Sequence, residues 1–160
     1  MHPFPHTYTV TATSGASGWV TVGSARLEAL STAAPTEFGG PGDRWSPETL
    51  LVASVADCFV LTFRALSRAA RFDWSALACR VEGVLERVDG VSQFSRFQTH
   101  ATLTVAGGAD EARARVLLEK AEQGCLISNS LRGARSLQVE IRSAPAEPAA
   151  QRASSQAAPA

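Results

Sequence analysis

Polar and apolar residues alternate from Thr7 to Thr13, with Tyr8, Val10 and Ala12 on one side. A period of two predicts a strand. Ser14-Gly15-Ala16-Ser17-Gly18 has the composition of a turn, and Trp19-Val20-Thr21-Val22 is the expected hairpin partner. Residues 23–31 leave room for a third short strand. Ala34 to Asp43, with Gly39-Gly40-Pro41-Gly42, predicts a loop.

The pattern changes at Ser46-Pro47-Glu48. Ser46 can cap free N–H groups, and Pro47 suits the first helical position because its missing N–H has no partner there. Glu48 favours the positive end of the helix dipole. The helix should run to about Ala70. Leu50, Leu51, Val52, Val55, Phe59 and Val60, followed by Leu61, Phe63 and Leu66, leave no wholly polar stripe over its first five turns. A helix apolar nearly all round is surrounded by protein. In a chain of 160 residues the expected neighbour is a second subunit.

Two long strands should follow. Cys79, Val81, Gly83 and Leu85 share one face of the first, and Asp89-Gly90 signals a hairpin. The second alternates Phe97, Thr99, Ala101, Leu103 and Val105 against Gln98, His100, Thr102 and Thr104, with His100 expected to face solvent. Asp110 should cap a helix from Glu111 to about Gln123, with Ala112, Val116, Leu117 and Ala121 inward and Gly124 at its C-terminal cap. Leu137 to Ile141 alternates as a last strand. The order predicts an α+β domain over residues 1–143. Residues 144–160, rich in Ala, Pro and Ser, should form a disordered tail.

Composition narrows the function. The formal net charge is zero and no basic run appears, so electrostatic capture of nucleic acid is not expected. No apolar stretch of about 18 residues suggests a membrane span, and no basic segment followed by an apolar run suggests export. A cytoplasmic, reducing location is therefore expected, with few stable disulfides. Cysteines at 58, 79 and 125 give no Cys-x-x-Cys, and histidines at 2, 6 and 100 give no zinc spacing. No metal and no resident cofactor are expected.

The cysteines carry the candidate chemistry. Cys79 lies in an alternating strand and fits packing. Cys58 lies mid-helix, where packing competes with reactivity. Cys125 follows a helix and precedes Ser128-Asn129-Ser130, a polar cluster that a purely buried segment does not need. An attacking cysteine needs thiolate character, and burial opposes it, so a partner must compensate. Asp57 does not serve, because neighbours i and i+1 on a helix point apart.

Glu37-Phe38-Gly39-Gly40-Pro41-Gly42, then Ser46-Pro47-Glu48 and a helix carrying Ala56-Asp57-Cys58-Phe59, resembles the OsmC/Ohr family of bacterial thiol peroxidases. Gly124-Cys125-Leu126-Ile127-Ser128-Asn129 resembles its second motif, with Leu126 and Ile127 replacing a Pro-aromatic pair. The similarity spans about residues 7–142. It implies an OsmC-like fold, with antiparallel sheets packed on a long buried central helix in an intertwined homodimer. It implies an antioxidant enzyme in which Cys58 attacks an organic hydroperoxide or hydrogen peroxide and Cys125 resolves the sulfenic acid as a disulfide. An external dithiol or lipoyl-type reductant would reopen that disulfide.

The resemblance also makes Glu48 the acid that pairs with a catalytic Arg. The first turn, where part of the family carries this Arg, has none. Arg44, four residues before Glu48, is the candidate, with Arg26 second. Trp19, Phe38, Trp45 and Phe59 are candidates for an apolar peroxide pocket. The competing reading is a non-catalytic protein on the same dimeric scaffold that binds a small apolar ligand or senses redox state.

Overall fold

The computed structural model describes residues 3–144. The expected tail lies outside them apart from Ala144. The chain divides into two compact units between Leu51 and Val52.

The first unit holds three short antiparallel strands in the order β1 (Thr11–Thr13), β2 (Val20–Gly23) and β3 (Leu30–Thr32). The expected hairpin and third strand are present, but β1 begins at Thr11 rather than Thr7. After β3 the loop bends back so that Trp45 bridges Thr32, and Ala33 N–H donates to the Trp45 carbonyl at 3.0 Å. The helix start then forms as a reciprocal cap. Thr49 N–H donates to Ser46 Oγ at 3.2 Å, and Ser46 N–H donates to Thr49 Oγ1 at 2.8 Å. The pair satisfies one orphan donor at the helix start and the Ser46 N–H outside it.

The long helix α1 is Pro47–Ala70. Within the second unit follow β4 (Ala76–Val88), β5 (Val91–Ala106), α2 (Glu111–Gly124), the single turn α3 (Leu126–Asn129) and β6 (Ala134–Ala144). The strands form one sheet in the order β4-β5-β6. Asp89 and Gly90, both at positive φ, make the tight β4–β5 turn expected of Asp-Gly. β6 runs parallel to β5, so this sheet is mixed rather than antiparallel as expected. The reason is topological: α2 carries the chain back across the sheet, and a helical crossover returns a strand in parallel.

Phe97, Thr99, Ala101, Leu103 and Val105 are the buried face of β5. Against them lie Phe59 and Phe63 of α1 and Ala114, Leu117, Leu118 and Ala121 of α2. The inner face of α2 therefore differs from the expected one, because Ala112 and Val116 are exposed. Residues 114, 117, 118 and 121 follow the i, i+3, i+4, i+7 stripe of a helix, whereas 112 and 116 lie nearly opposite the middle of that stripe. Asp110 caps α2 as expected, accepting from Arg113 N–H at 2.9 Å. Gly124 takes the C-terminal position of α2 as its last helical residue, and Cys125 follows with φ −66°.

A bulge between Val84 and Leu85 leaves Ser95 unpaired in β5. This shifts the alternation, so that Phe94 stacks on Phe97 with centroids 5.3 Å apart. Gly83 sits beneath them: an added Cβ would meet Val52 Cγ2 at 2.7 Å and the Phe94 ring at 2.9 Å. His100 does not face solvent freely. It is half-buried, and its Nε2 is enclosed without a hydrogen-bond partner among the described residues.

Only Val55, Phe59, Phe63 and Ser67 of α1 are buried, one stripe at i, i+4 spacing, and Leu61 is 51% exposed. With a mean hydropathy of 1.7, α1 is long and apolar enough to cross a membrane by length and composition alone. That corrects the expectation that no such stretch exists. The polar residues Ser54, Asp57 and Thr62 are spread too thinly along the helix to break the apolar average. Asp57 would still cost about 3 kcal/mol at a bilayer centre, and the buried stripe packs on β5 and α2.

Candidate active site

Cys58 is carried on the fourth turn of α1 and is half-buried. Cys125 occupies the single residue between α2 and α3 and is 1% exposed. Sixty-seven positions apart in sequence, the two thiols lie close enough for Cys58 to act on the Cys125 thiol. Both are free thiols. The α1 backbone also faces Cys125, whose Sγ lies 4.0 Å from the Val55 carbonyl.

The Cys125 sulfur is held as a helix cap. Ser128 Oγ donates to Sγ at 3.1 Å, and Ser128 N–H donates to it at 3.5 Å. In Cys125-x-x-Ser128 sulfur thus occupies the capping place that Ser46 Oγ takes three residues before Thr49. Ser128 is itself buried. Burial pushes the Cys125 thiol above its ordinary pKa; the two Ser128 contacts pull it down, and the neighbouring Cys58 pushes it up again. The net direction is upward, so Cys125 keeps its proton more firmly than a free cysteine.

Cys79 packs against the same core from β4, opposite Ala101. Burial first, and the nearby Cys125 second, raise its pKa to about 11. That fits its expected packing role, since a thiol held neutral is a poor nucleophile. Asp57 is exposed.

The remaining candidates are not all gathered. Phe59 is 1% exposed and belongs to the packed core, so it lines no open space in this chain. Its i+4 relation to Val55 and Phe63 places it on the inner stripe. In the first unit, Trp19, Phe38 and Trp45 are 53%, 62% and 49% exposed. Arg44 and Trp45 border a cleft of about 330 Å³ together with Gly42, Asp43 and Thr49. The Arg44 guanidinium lies 4.0 Å from the Trp19 ring centroid and 3.9 Å from the Asp43 carboxylate. Arg26 stands in an exposed turn at φ 65°.

No ion pair joins Arg44 to Glu48 among the described residues, unlike the pairing the resemblance implied; Asp43 and Trp19 hold the guanidinium instead. Glu48 Oε2 is buried without a hydrogen-bond partner among the described residues. The sequence reading did not single out Ser128 as a site residue. The signal was present in the cap spacing of Cys125-x-x-Ser128. No group of three or more His, Cys, Asp or Glu side chains suited to a metal ion occurs among the described residues.

A model of the family described as "OsmC-like protein" matches residues 40–142. The chain is 33% identical to the "Organic hydroperoxide resistance protein" of Xanthomonas axonopodis pv. citri over 132 residues, covering 80% of this chain and 88% of that one. It is 28% identical over 109 residues to the "Uncharacterized protein YmaD" of Bacillus subtilis, covering 66% and 73%. Among solved structures, an organic hydroperoxide resistance protein OsmC from Legionella pneumophila superposes with a TM-score of 0.68 at 26% identity, covering 88% of this chain and 99% of that one.

Proposed function

Because the chain belongs to the OsmC-like family, we propose that it is a thiol-dependent peroxidase that reduces organic hydroperoxides, and hydrogen peroxide as a second substrate. The meeting of two free thiols of unequal exposure carries this reading. The names of the Xanthomonas and Legionella relatives supply the substrate class. The half-buried Cys58 is the sulfur a peroxide can reach, and the enclosed Cys125 is not.

The Cys58 thiolate attacks one peroxide oxygen. The O–O bond breaks, the alcohol leaves with a proton, and Cys58 becomes a sulfenic acid. Cys125 then attacks the Cys58 sulfur, an S–S bond forms, and the sulfenic oxygen leaves as water. A dithiol or lipoyl-type reductant reopens the disulfide by exchange. Glu48 and Arg44 are the acid and cation we assign to this chemistry. The unpartnered Oε2 of Glu48 supports a role for it in holding a cation, because a buried carboxylate oxygen without a partner is costly. The exposed apolar residues of α1 support a homodimer, and we place the protein in the bacterial cytoplasm as part of the same proposal.

Intact-mass analysis after one equivalent of cumene or tert-butyl hydroperoxide tests the reading. The expected product has lost two hydrogens and yields a Cys58–Cys125 peptide. Cys58→Ser abolishes peroxide consumption, and Cys125→Ser stops at one trapped sulfenic acid. Thiols that survive the peroxide untouched refute the enzyme and favour ligand binding on the same scaffold.

A further inference from the structure

One side chain ties both ends of the Cys125 turn to the sheet. Arg135 is the second residue of β6 and pairs with Phe97 of β5. Its Nη1 donates to Asn129 Oδ1 at 2.7 Å, and its Nε lies 3.4 Å from Glu122 Oε1. Glu122 is in the last turn of α2, three residues before Cys125. Asn129 closes α3, four residues after it. Asn129 Nδ2 also donates to the Gln123 carbonyl at 3.0 Å, closing the turn on itself. The anchor is firm, because β6 pairs with β5 from Ala134 to Ala144.

We infer that Arg135 is the positioning residue for disulfide formation, holding residues 122–129 against the sheet so that the Cys125 sulfur stays fixed opposite Cys58. The inference rests on the peroxidase reading above. In the step concerned the Cys125 thiolate attacks the Cys58 sulfenic sulfur; the S–S bond forms, the S–O bond breaks, and the departing hydroxide takes up the proton Cys125 gave up. Only the mutual placement of the sulfurs is at stake, since neither Arg135 nor its partners touch a reacting atom. The attack of Cys58 on peroxide does not depend on that placement, so Arg135 should act on the second step alone. The planar guanidinium serves Asn129 and Glu122 together, whereas a lysine ammonium offers no such fork.

The test compares wild type, Arg135→Met and Arg135→Lys after one equivalent of cumene hydroperoxide, quenched over time. Dimedone reports the Cys58 sulfenic acid, and intact mass reports the disulfide. In Arg135→Met the sulfenic acid should persist about tenfold longer, on the scale set by a slight misplacement of reacting groups. The rate of the first step should stay within twofold, and Arg135→Lys should restore part of the loss. Where Arg135→Met fails to fold, Arg135→Lys alone must still lengthen the sulfenic lifetime. Equal lifetimes in the variants and wild type, or an equal slowing of both steps, overturn the role of Arg135 and leave the peroxidase standing. A wild type that forms neither adduct nor disulfide overturns both.

Discussion

Ser128→Ala is the sharpest perturbation of the paired thiols. It removes the Oγ donor 3.1 Å from Cys125 Sγ and leaves the backbone N–H at 3.5 Å in place. Toward the thiolate this is a hydrogen bond to a charged acceptor, worth about 1.5–3 kcal/mol. At about 1.4 kcal/mol per factor of ten, its loss disfavours the thiolate of Cys125 relative to the thiol and pushes its pKa further up. Cys125 already lies above its ordinary value. Near neutral pH its thiolate fraction therefore falls roughly 10- to 100-fold. The intrinsic nucleophilicity of a thiolate grows with its pKa, with a Brønsted coefficient of about 0.4–0.5, and returns almost half of that loss. The net expectation is that resolution of the Cys58 sulfenic acid slows roughly 3- to 10-fold.

Rapid-quench mass spectrometry across pH 6 to 10 measures this directly. The resolution rate should rise with pH as Cys125 deprotonates, and the rising limb should shift upward in the variant. Ser130→Ala is the control, since Ser130 Oγ donates to the Leu126 carbonyl and does not touch the sulfur. An unmoved pH limb in Ser128→Ala, or equal effects of the two serines, would refute the reasoning.

Gly83→Ala should destabilise the protein by about 1–3 kcal/mol through overpacking, because its Cβ would lie 2.7 Å from Val52 and 2.9 Å from Phe94; an unchanged denaturation midpoint would contradict it. Cys79 should resist iodoacetamide below pH 9 and label as pH approaches its pKa of about 11. Because its folded pKa lies above the unfolded 9.0, its stabilising contribution is whole below pH 9 and is lost as pH rises toward 11; chemical denaturation at pH 8 and pH 10.5 reads the sign. Leu61→Arg, on the open face of α1, should shift the proposed dimer toward monomer by sedimentation velocity, and an undisturbed assembly would place the interface elsewhere.

Local chemistry was legible where one signal sufficed. Ser46-Pro47-Glu48, Asp89-Gly90 and Asp110 each mark a boundary the structure keeps, because caps and tight turns are settled by few neighbours. The face of α2 was misread because alanine is equally at home inside and outside, so Ala112 and Ala114 look alike without a stripe to choose between them. The direction of β6 and the bulge beside Leu85 are decided between strands and leave no mark within either one. The family motifs made the meeting of Cys58 and Cys125 expected; what holds Cys125 was less visible. Ser128 was readable as cap spacing. Arg135 was not, since its partners Glu122 and Asn129 flank the cysteine on opposite sides and nothing in the sequence joins either of them to a residue of the last strand.

Sixty-seven residues of separation tell less about the two sulfurs than their surroundings do. Cys125 is enclosed, with Ser128 and the Val55 carbonyl against its sulfur, and burial keeps its proton on. A sulfur so placed is poorly suited to meet a bulky hydroperoxide. Cys58 is half-buried on a helix of which only one stripe is fully buried, so on the proposed reading it receives substrate from outside and then turns inward. A disulfide requires the sulfurs to close to about 2.05 Å. Moving Cys125 would break the Ser128 cap and strain the turn anchored by Arg135. Rotating Cys58 about its Cα–Cβ bond disturbs neither and leaves the helix backbone in place. On the proposed reading the peroxide-facing thiol is therefore the mobile partner, and oxidation should reorganise the Cys58 side chain while the Cys125 turn stays where it is.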